Sequence, residues 1–505
     1  MAFQPLGFVF LFLLGVQGVQ ITTTTRQTIY GVGASGAWWV NDLALYPNDV
    51  RQNISDLLLN QTAGLGLTDY RYNLGGGGVG VTTWDRAAET PYVSDGVYNW
   101  SADAAGTYYL KEAAQQGVPV LTLFVNSAPT TMTSNNQSCG GDLVTDRIPA
   151  YVQYLTDVIS HWKSEGVEFT HVSPMNEPDD SFSSCGQEGM QVVPQQRAEV
   201  VTTLAASLKA AGLSTQVIAD ESSETSNYVS DEPVWLNATV GESLGGNCHH
   251  LYDFANATTQ QEVFEYGRNL SGGVPTWFTE ICCYNAADSS EADDPLAALT
   301  YSSQYDPTML SGLRMAHLVW QSFTYAEDSH WDWWTALSNE IGCTLSENST
   351  CWDGIQSDGW DDGLIYYDPD YNSTQNYDIK LAKRYYVLKH FTKGVPIGSI
   401  RRAVTPDSDT DDGAWRVLAF DYDASCEQYS TCDYTPYSVV AMNAQWNASS
   451  ITLTSDGTFN LTQPTAMYRT SVTEDYAEVQ APALSANGSL VIDAPEMSIF
   501  TLFFQ

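Results

Sequence analysis

The chain has 505 residues, with 20 Lys and Arg against 60 Asp and Glu, a formal charge of −40 at pH 7. So acidic a chain excludes long-range attraction to nucleic acid or anionic lipid, and neither a nucleic-acid nor a membrane partner is expected. The length fits one large domain beside a smaller one, and the acid is spread without long single-sign runs, as on a solvated surface suited to acidic surroundings.

The N-terminus, MAFQPLGFVFLFLLGVQGVQ, has an apolar core from Leu6 to Val16, too short to span a bilayer, and then small residues suited to cleavage. Although it lacks a basic n-region, it reads as a secretory signal over residues 1–18, and the mature protein is expected to be secreted. Twelve Asn-X-Ser/Thr acceptors, Asn53, Asn60 and Asn256 among them, suit a eukaryotic exported glycoprotein. The nine cysteines then call for disulfides. Short loops favour Cys343 with Cys351 and Cys426 with Cys432, then Cys139 with Cys185. Of the adjacent Cys282 and Cys283, one is expected to join Cys248. No Cys-X2-Cys or His-X3-His spacing supports a metal site.

Taken in order, QTIYGVGASG reads as a strand ending in glycines, and GLTDYRYNLGGGG as a second strand with a glycine-rich loop. GTYYLKEAAQQG has helical spacing and a glycine stop, and VPVLTLFVNSAP is an apolar run bounded by proline. The helix IPAYVQYLTDVISHWKSEG leads into VEFTHVSPMNEP, and PQQRAEVVTTLAASLKAAG into QVIADESS; CHHLYDF, VPTWFTEICC and HWDWWTAL follow. About eight strand-then-helix units predict an α/β fold, a (β/α)8 TIM barrel over residues 27–397. The rival is an open doubly wound sheet, since GVGASG literally matches the dinucleotide-binding G-x-G-x-x-G. It lacks the acidic residue expected at the end of a second strand about twenty residues on. Beyond residue 398 the alternating runs AWRVLAFDY, YSVVAMNAQW, SITLTSD and SIFTLFF predict an appended C-terminal β-sandwich over 398–505, to which the Thr-rich segment within 19–26 adds an edge strand.

In such a barrel the chemistry lies at the C-terminal ends of the strands. Strand four ends at Asn176 and Glu177 and strand seven at Glu280, so the two carboxylates are predicted to face each other across the mouth. Glycoside hydrolysis needs such a pair, one protonated to serve the leaving oxygen and one ionised to attack the anomeric carbon. Burial and the like charge of Glu280 would raise the pKa of Glu177. Asn176 suits a hydrogen bond to the sugar 2-hydroxyl. The bland alternatives are a surface carboxylate capping a helix for Glu177 and a carboxylate bonding backbone amides for Glu280. Trp38, Trp39, Arg71, Asn73, His250, Tyr252, His330, Trp331, Trp333 and Trp334 collect at the same rim, where indole platforms and polar groups match the C–H faces and hydroxyls of sugars. Any one of these tryptophans is more often core than platform.

The blocks GVGASGAWW, YRYNLGGGG, SPMNEP, HLYDF and WFTE together resemble glycoside hydrolase family 30, most of all its fungal endo-β-1,6-galactanase-like branch. The resemblance implies a barrel fused to a sandwich built from both chain ends. It also implies a retaining mechanism with Glu177 as acid/base and Glu280 as nucleophile. Val32, where many members carry an aromatic residue, and NSAPTTM, which lacks the usual tryptophan, depart from the pattern at the substrate walls. The expectation is a secreted, monomeric endo-glycosidase acting on β-1,6-linked galactan without metal or cofactor. Action on xylan or β-1,6-glucan, exo action, and a non-catalytic carbohydrate-binding protein stay open.

Overall fold

The computed structural model describes residues 17–405, 413, 415–422, 437–456 and 461–504. Residues 1–16 of the expected signal and the expected Cys426–Cys432 bridge lie outside these residues.

Eight parallel strands close a barrel: Gly31–Gly36, Asp69–Asn73, Val120–Phe124, His171–Ser173, Gln216–Ser222, Leu244–His250, Thr276–Glu280 and His330–Trp333, with the last pairing to the first. The predicted TIM barrel is therefore observed, and Glu177 and Glu280 follow strands four and seven as counted. The helices between strands form for ordinary reasons. Ile148–Ser164 starts on a proline in its first turn and buries Tyr151, Leu155, Val158, Ile159 and Trp162, the 3.6-residue stripe that covers the barrel wall. Ala104–Gln115 starts at Asp103, whose carboxylate accepts the Gly106 amide hydrogen.

GVGASG is a barrel strand in its own right, buried throughout, and the chain before it, Gln17–Thr28, belongs to the other sheet. The glycines have a steric cause. Gly31 pairs with His330 and Gly33 with Asp332. A Cβ on Gly31 would stand 2.7 Å from His330 Nδ1, and one on Gly33 2.4 Å from Asp332 Oδ1. The Gly-X-Gly spacing thus clears the barrel interior for a His and an Asp.

The second unit is one nine-stranded sheet in the order Ala477–Val479, Pro464–Thr470, Ser498–Phe504, Tyr437–Asn443, Trp415–Tyr422, Ser399–Thr405, Gln17–Thr28, Ser449–Ser455 and Leu490–Ala494. The sheet folds over, so that Ile451, Leu453 and Ile492 from one end share a core with Val417, Val439, Phe500 and Leu502. This is the predicted sandwich, with one correction. The Thr-rich strand is interior, antiparallel to Ser399–Thr405 on one side and parallel to Ser449–Ser455 on the other. On the barrel side, His390 of the helix Lys383–Gly394 bonds the hydroxyls of Thr501 and Thr470 through its two ring nitrogens.

Cys139–Cys185 and Cys343–Cys351 are disulfides, as expected. The third bridge is a correction: Cys282 and Cys283 bond each other, and Cys248 is a buried free thiol. Cys248 pairs with Trp277 and packs with it and Ile218 inside the barrel wall, whereas Cys282 and Cys283 lie past the strand end at Glu280. Neither can come down to it.

Candidate active site

Side chains of alternate strand residues point into the barrel and stack in layers. The lowest polar layer holds His330, whose Nε2 lies 3.1 Å from Asp69 Oδ2 and 2.9 Å from Asp332 Oδ2, with Trp277 stacked on the imidazole. Above it Arg71 lies with its guanidinium 3.9 Å from the Phe124 ring centre. Arg71 donates to Glu280, to Asn176 Oδ1 at 2.7 Å and to Glu221 Oε2 at 3.1 Å. Glu221 also accepts from the Thr279 hydroxyl at 2.6 Å and lies 2.8 Å from His250 Nε2. The other ring nitrogen of His250, Nδ1, is 3.2 Å from Glu177 Oε1. At the top, oxygens of Glu177 and Glu280 and a nitrogen of His250 all lie within 4.8 Å of one another. Tyr252 donates its hydroxyl to Glu280 Oε1 at 3.1 Å.

Charge balance organises this group. Three carboxylates, Glu177, Glu221 and Glu280, face two cations. Burial opposes ionisation of Glu221, but Arg71, then His250 and Thr279, overcome it and hold the carboxyl at about 2. Burial also opposes the charge on His250, and the surrounding Glu280, Glu177 and Glu221 push its pKa up to about 10. Two cations face three carboxylates here, so a proton on one of them relieves the excess negative charge. Burial, with the charge of Glu280 added, raises Glu177 to about 7 against the lowering pull of its bond to His250. The arrangement can therefore present one proton donor and one carboxylate to the same small space.

Both this triad and Asp69, His330 and Asp332 have the spacing of cation ligands. In each, a protonated imidazole already supplies positive charge: burial opposes it, but Asp332 and Asp69 push His330 up to about 10. The donor chemistry fits ion pairs better than a metal ion.

The structure brings Asn176, Arg71, His250 and Tyr252 together with the two glutamates. Asn73, two residues beyond Arg71 on the same face, accepts from the Asn126 amide at 3.3 Å. Trp38 and Trp334 pack edge to face, with ring centres 4.7 Å apart, at the rim. Four others are placed elsewhere, which corrects the reading of the sequence. Trp39 is buried against Tyr109 and donates to the Ser35 carbonyl. Trp331 and Trp333 alternate with the inward His330 and Asp332, so they face the surrounding layer; Trp331 stacks on Phe278, and Trp333 donates to the Asp362 carbonyl. His330 itself belongs to the lowest layer. Sequence reasoning missed Glu221, Thr279, Tyr301, Trp360 and Arg86. Tyr301 packs on Tyr252 and Trp360, and the Arg86 guanidinium covers the Trp38 ring. Glu221 alone had a legible signal, since QVIADES is another apolar run stopping at a carboxylate.

Residues 16–239 match the model of O-glycosyl hydrolase family 30. Glucuronoxylanase XynC of Bacillus subtilis is 28% identical over 197 residues, which cover 39% of this chain and 43% of that enzyme, so the match spans less than half of the curated relative. A conserved exported protein from Bacteroides fragilis superposes with a TM-score of 0.76 at 19% identity, over 96% of this chain and 100% of that one. The catalytic domain of GH30 xylanase C from Talaromyces cellulolyticus superposes with a TM-score of 0.67 at 20% identity, over 97% and 100%. The family model and the glucuronoxylanase, each matched over less than half of this chain, support family 30 and a glycoside hydrolase, and the solved structures show the fold. Among the described residues no helix is long and apolar enough to cross a membrane.

Proposed function

We propose, proceeding from the family 30 glycoside hydrolase that the match over residues 16–239 supports, that this chain is a secreted retaining endo-glycosidase with Glu177 as acid/base and Glu280 as nucleophile. One observation carries the reading: carboxylate oxygens of the two residues lie within 4.8 Å. That closeness supports the retaining reading, in which the carboxyl groups stand about 5 to 5.5 Å apart, over the inverting one, which needs roughly 6.5 to 9.5 Å to seat a water.

In the first step Glu177 gives its proton to the glycosidic oxygen as a Glu280 oxygen attacks the anomeric carbon. The alcohol leaves and a glycosyl ester forms on Glu280. Esterification removes the negative charge beside Glu177, so its pKa falls and its carboxylate can take a proton from water. That water attacks the anomeric carbon and frees Glu280. Arg71 and Tyr252 hold the Glu280 carboxylate in place. Asn176 spends its oxygen on Arg71, which leaves its amide hydrogens for the sugar 2-hydroxyl.

The substrate we assign is β-1,6-linked galactan, such as the side chains of arabinogalactan, on the strength of the GVGASGAWW block. Xylan is the second reading, favoured by the glucuronoxylanase relative. Incubation with β-1,6-galactan, β-1,6-glucan and xylan, with product length and anomeric configuration read by NMR, tests both. Short galactan products of retained configuration are expected. Inverted products would refute the mechanism, and release from xylan alone would move the substrate to the second reading. Glu280→Gln should abolish hydrolysis while sugar binding persists, which also separates an enzyme from a carbohydrate-binding protein.

A further inference from the structure

A second cavity, of about 610 Å³, lies between the outside of the barrel and the sandwich. That is within the usual range of small-molecule sites, about 300 to 1,000 Å³. Phe254 and Tyr325 give it ring surfaces, and Gln321 and Gln445, from the two different units, give it amides. His317, from the helix Met309–Gln321, also lines it; the residue is 6% exposed, and its Nδ1 is buried with no hydrogen-bond partner among the described residues. Burial, with Arg416 adding to it, pushes the pKa of His317 down to about 3, so the imidazole adds no charge to the wall. Glu291 and Asp294 stand at the wall with one cation, Arg416, so carboxylates outnumber it and an anionic guest is disfavoured.

Ring faces beside uncharged donors and acceptors match a pyranose, which shows C–H faces flanked by hydroxyls. The rim carries a second pointer of the same chemistry. Asn256 lines the cavity and heads the acceptor Asn256-Ala257-Thr258. Its Oδ1 caps the helix Ala257–Ser271 by accepting the Thr258 and Thr259 amide hydrogens, which leaves Nδ2, the atom an N-glycan would occupy, uncommitted to the cap. We infer that this cavity is a second carbohydrate site, separate from the carboxylate cleft, that takes a neutral pyranose unit. The sugar comes either from a glycan on Asn256 or from free oligosaccharide.

The test uses the full chain secreted from a eukaryotic host. Thr258→Ala deletes the acceptor and keeps the capping amide hydrogen, Gln321→Trp puts an indole into the cavity in place of an amide, and His317→Phe replaces the imidazole at its wall. Glycopeptide mass spectrometry reads Asn256. Calorimetry counts the sites for β-1,6-galactobiose, gentiobiose and xylobiose. For a glycan occupant, Asn256 is modified, and the Thr258→Ala chain binds one disaccharide more than the parent. For a free sugar, both bind the same number. In either case Gln321→Trp or His317→Phe, in the Thr258→Ala background, removes one bound disaccharide per chain, whatever the cleft binds. The inference is overturned if neither substitution, in a chain that melts within a few degrees of its parent, removes a site for any of the three sugars.

Discussion

Replacing Glu280 by Gln should lower the pKa of Glu177 by about two units, and the shift can be worked from the geometry. Oxygens of the two carboxylates lie within 4.8 Å. At an effective dielectric constant of about 20, a unit charge at that range is worth on the order of 3 kcal/mol, or roughly two pKa units. The sign is downward, because the anion of Glu280 disfavours the anion of Glu177 and its removal relieves that cost. Burial, the largest cause of the raised value of about 7, stays in place, so the variant should settle near about 5 rather than at an ordinary glutamate value. The assay is a pH titration by 13C NMR of glutamate labelled at Cδ, in wild type and Glu280→Gln, with the signal assigned by its loss in Glu177→Gln. The same fall is what the glycosyl ester would impose during turnover. A Glu177 pKa that moves by less than half a unit would refute the charge-balance reasoning and the switch from acid to base built on it.

Arg71→Met should destabilise the chain by about 3 to 5 kcal/mol, read from denaturant midpoints, because it leaves Glu221 and Glu280 buried without their cation. An unchanged midpoint would mean that water reaches these carboxylates. Gly33→Ala should cost about 1 to 3 kcal/mol or more, since its Cβ would stand 2.4 Å from Asp332 Oδ1 and 2.5 Å from the Asp69 carbonyl oxygen. Stability should also depend on pH. Burial raises Glu232 and Glu188 to about 8 and Asp103 to about 7, and these folded values lie above the unfolded range near 4. Their contribution is complete below about pH 4 and is lost as pH rises through 7 to 8. Glu221, held at about 2, acts in the opposite sense and loses its contribution as pH falls toward 2. The melting temperature should therefore fall between pH 5 and 8, and Glu232→Gln should flatten that fall; parallel curves for variant and wild type would contradict it.

Periodicity and punctuation made the architecture legible. Each apolar run followed by an amphipathic helix can bury itself in few ways, so the sequence alone assigns SPMNEP and WFTE to strands four and seven. Local pattern also made the alternation of the last hundred residues readable as strands. It could not decide their order, which is why the Thr-rich strand moved from the edge to the interior, where Ser449–Ser455 pairs beside it.

What the sequence determined by itself was therefore the set of strands and helices, and the two glutamates at the strand ends, because these follow from spacing along one segment. Closure of the barrel decided the rest. Arg71 meets Glu221 and Glu280 across 150 and 209 residues, and His250 meets Glu177 across 73. Closure also turned Trp333 outward and gave Gly31 and Gly33 their purpose beneath His330 and Asp332. The burial and the neighbouring charge that raise the pKa of Glu177 are properties of that enclosed space, where removal from water raises the cost of every unpaired ion, and no single segment carries them.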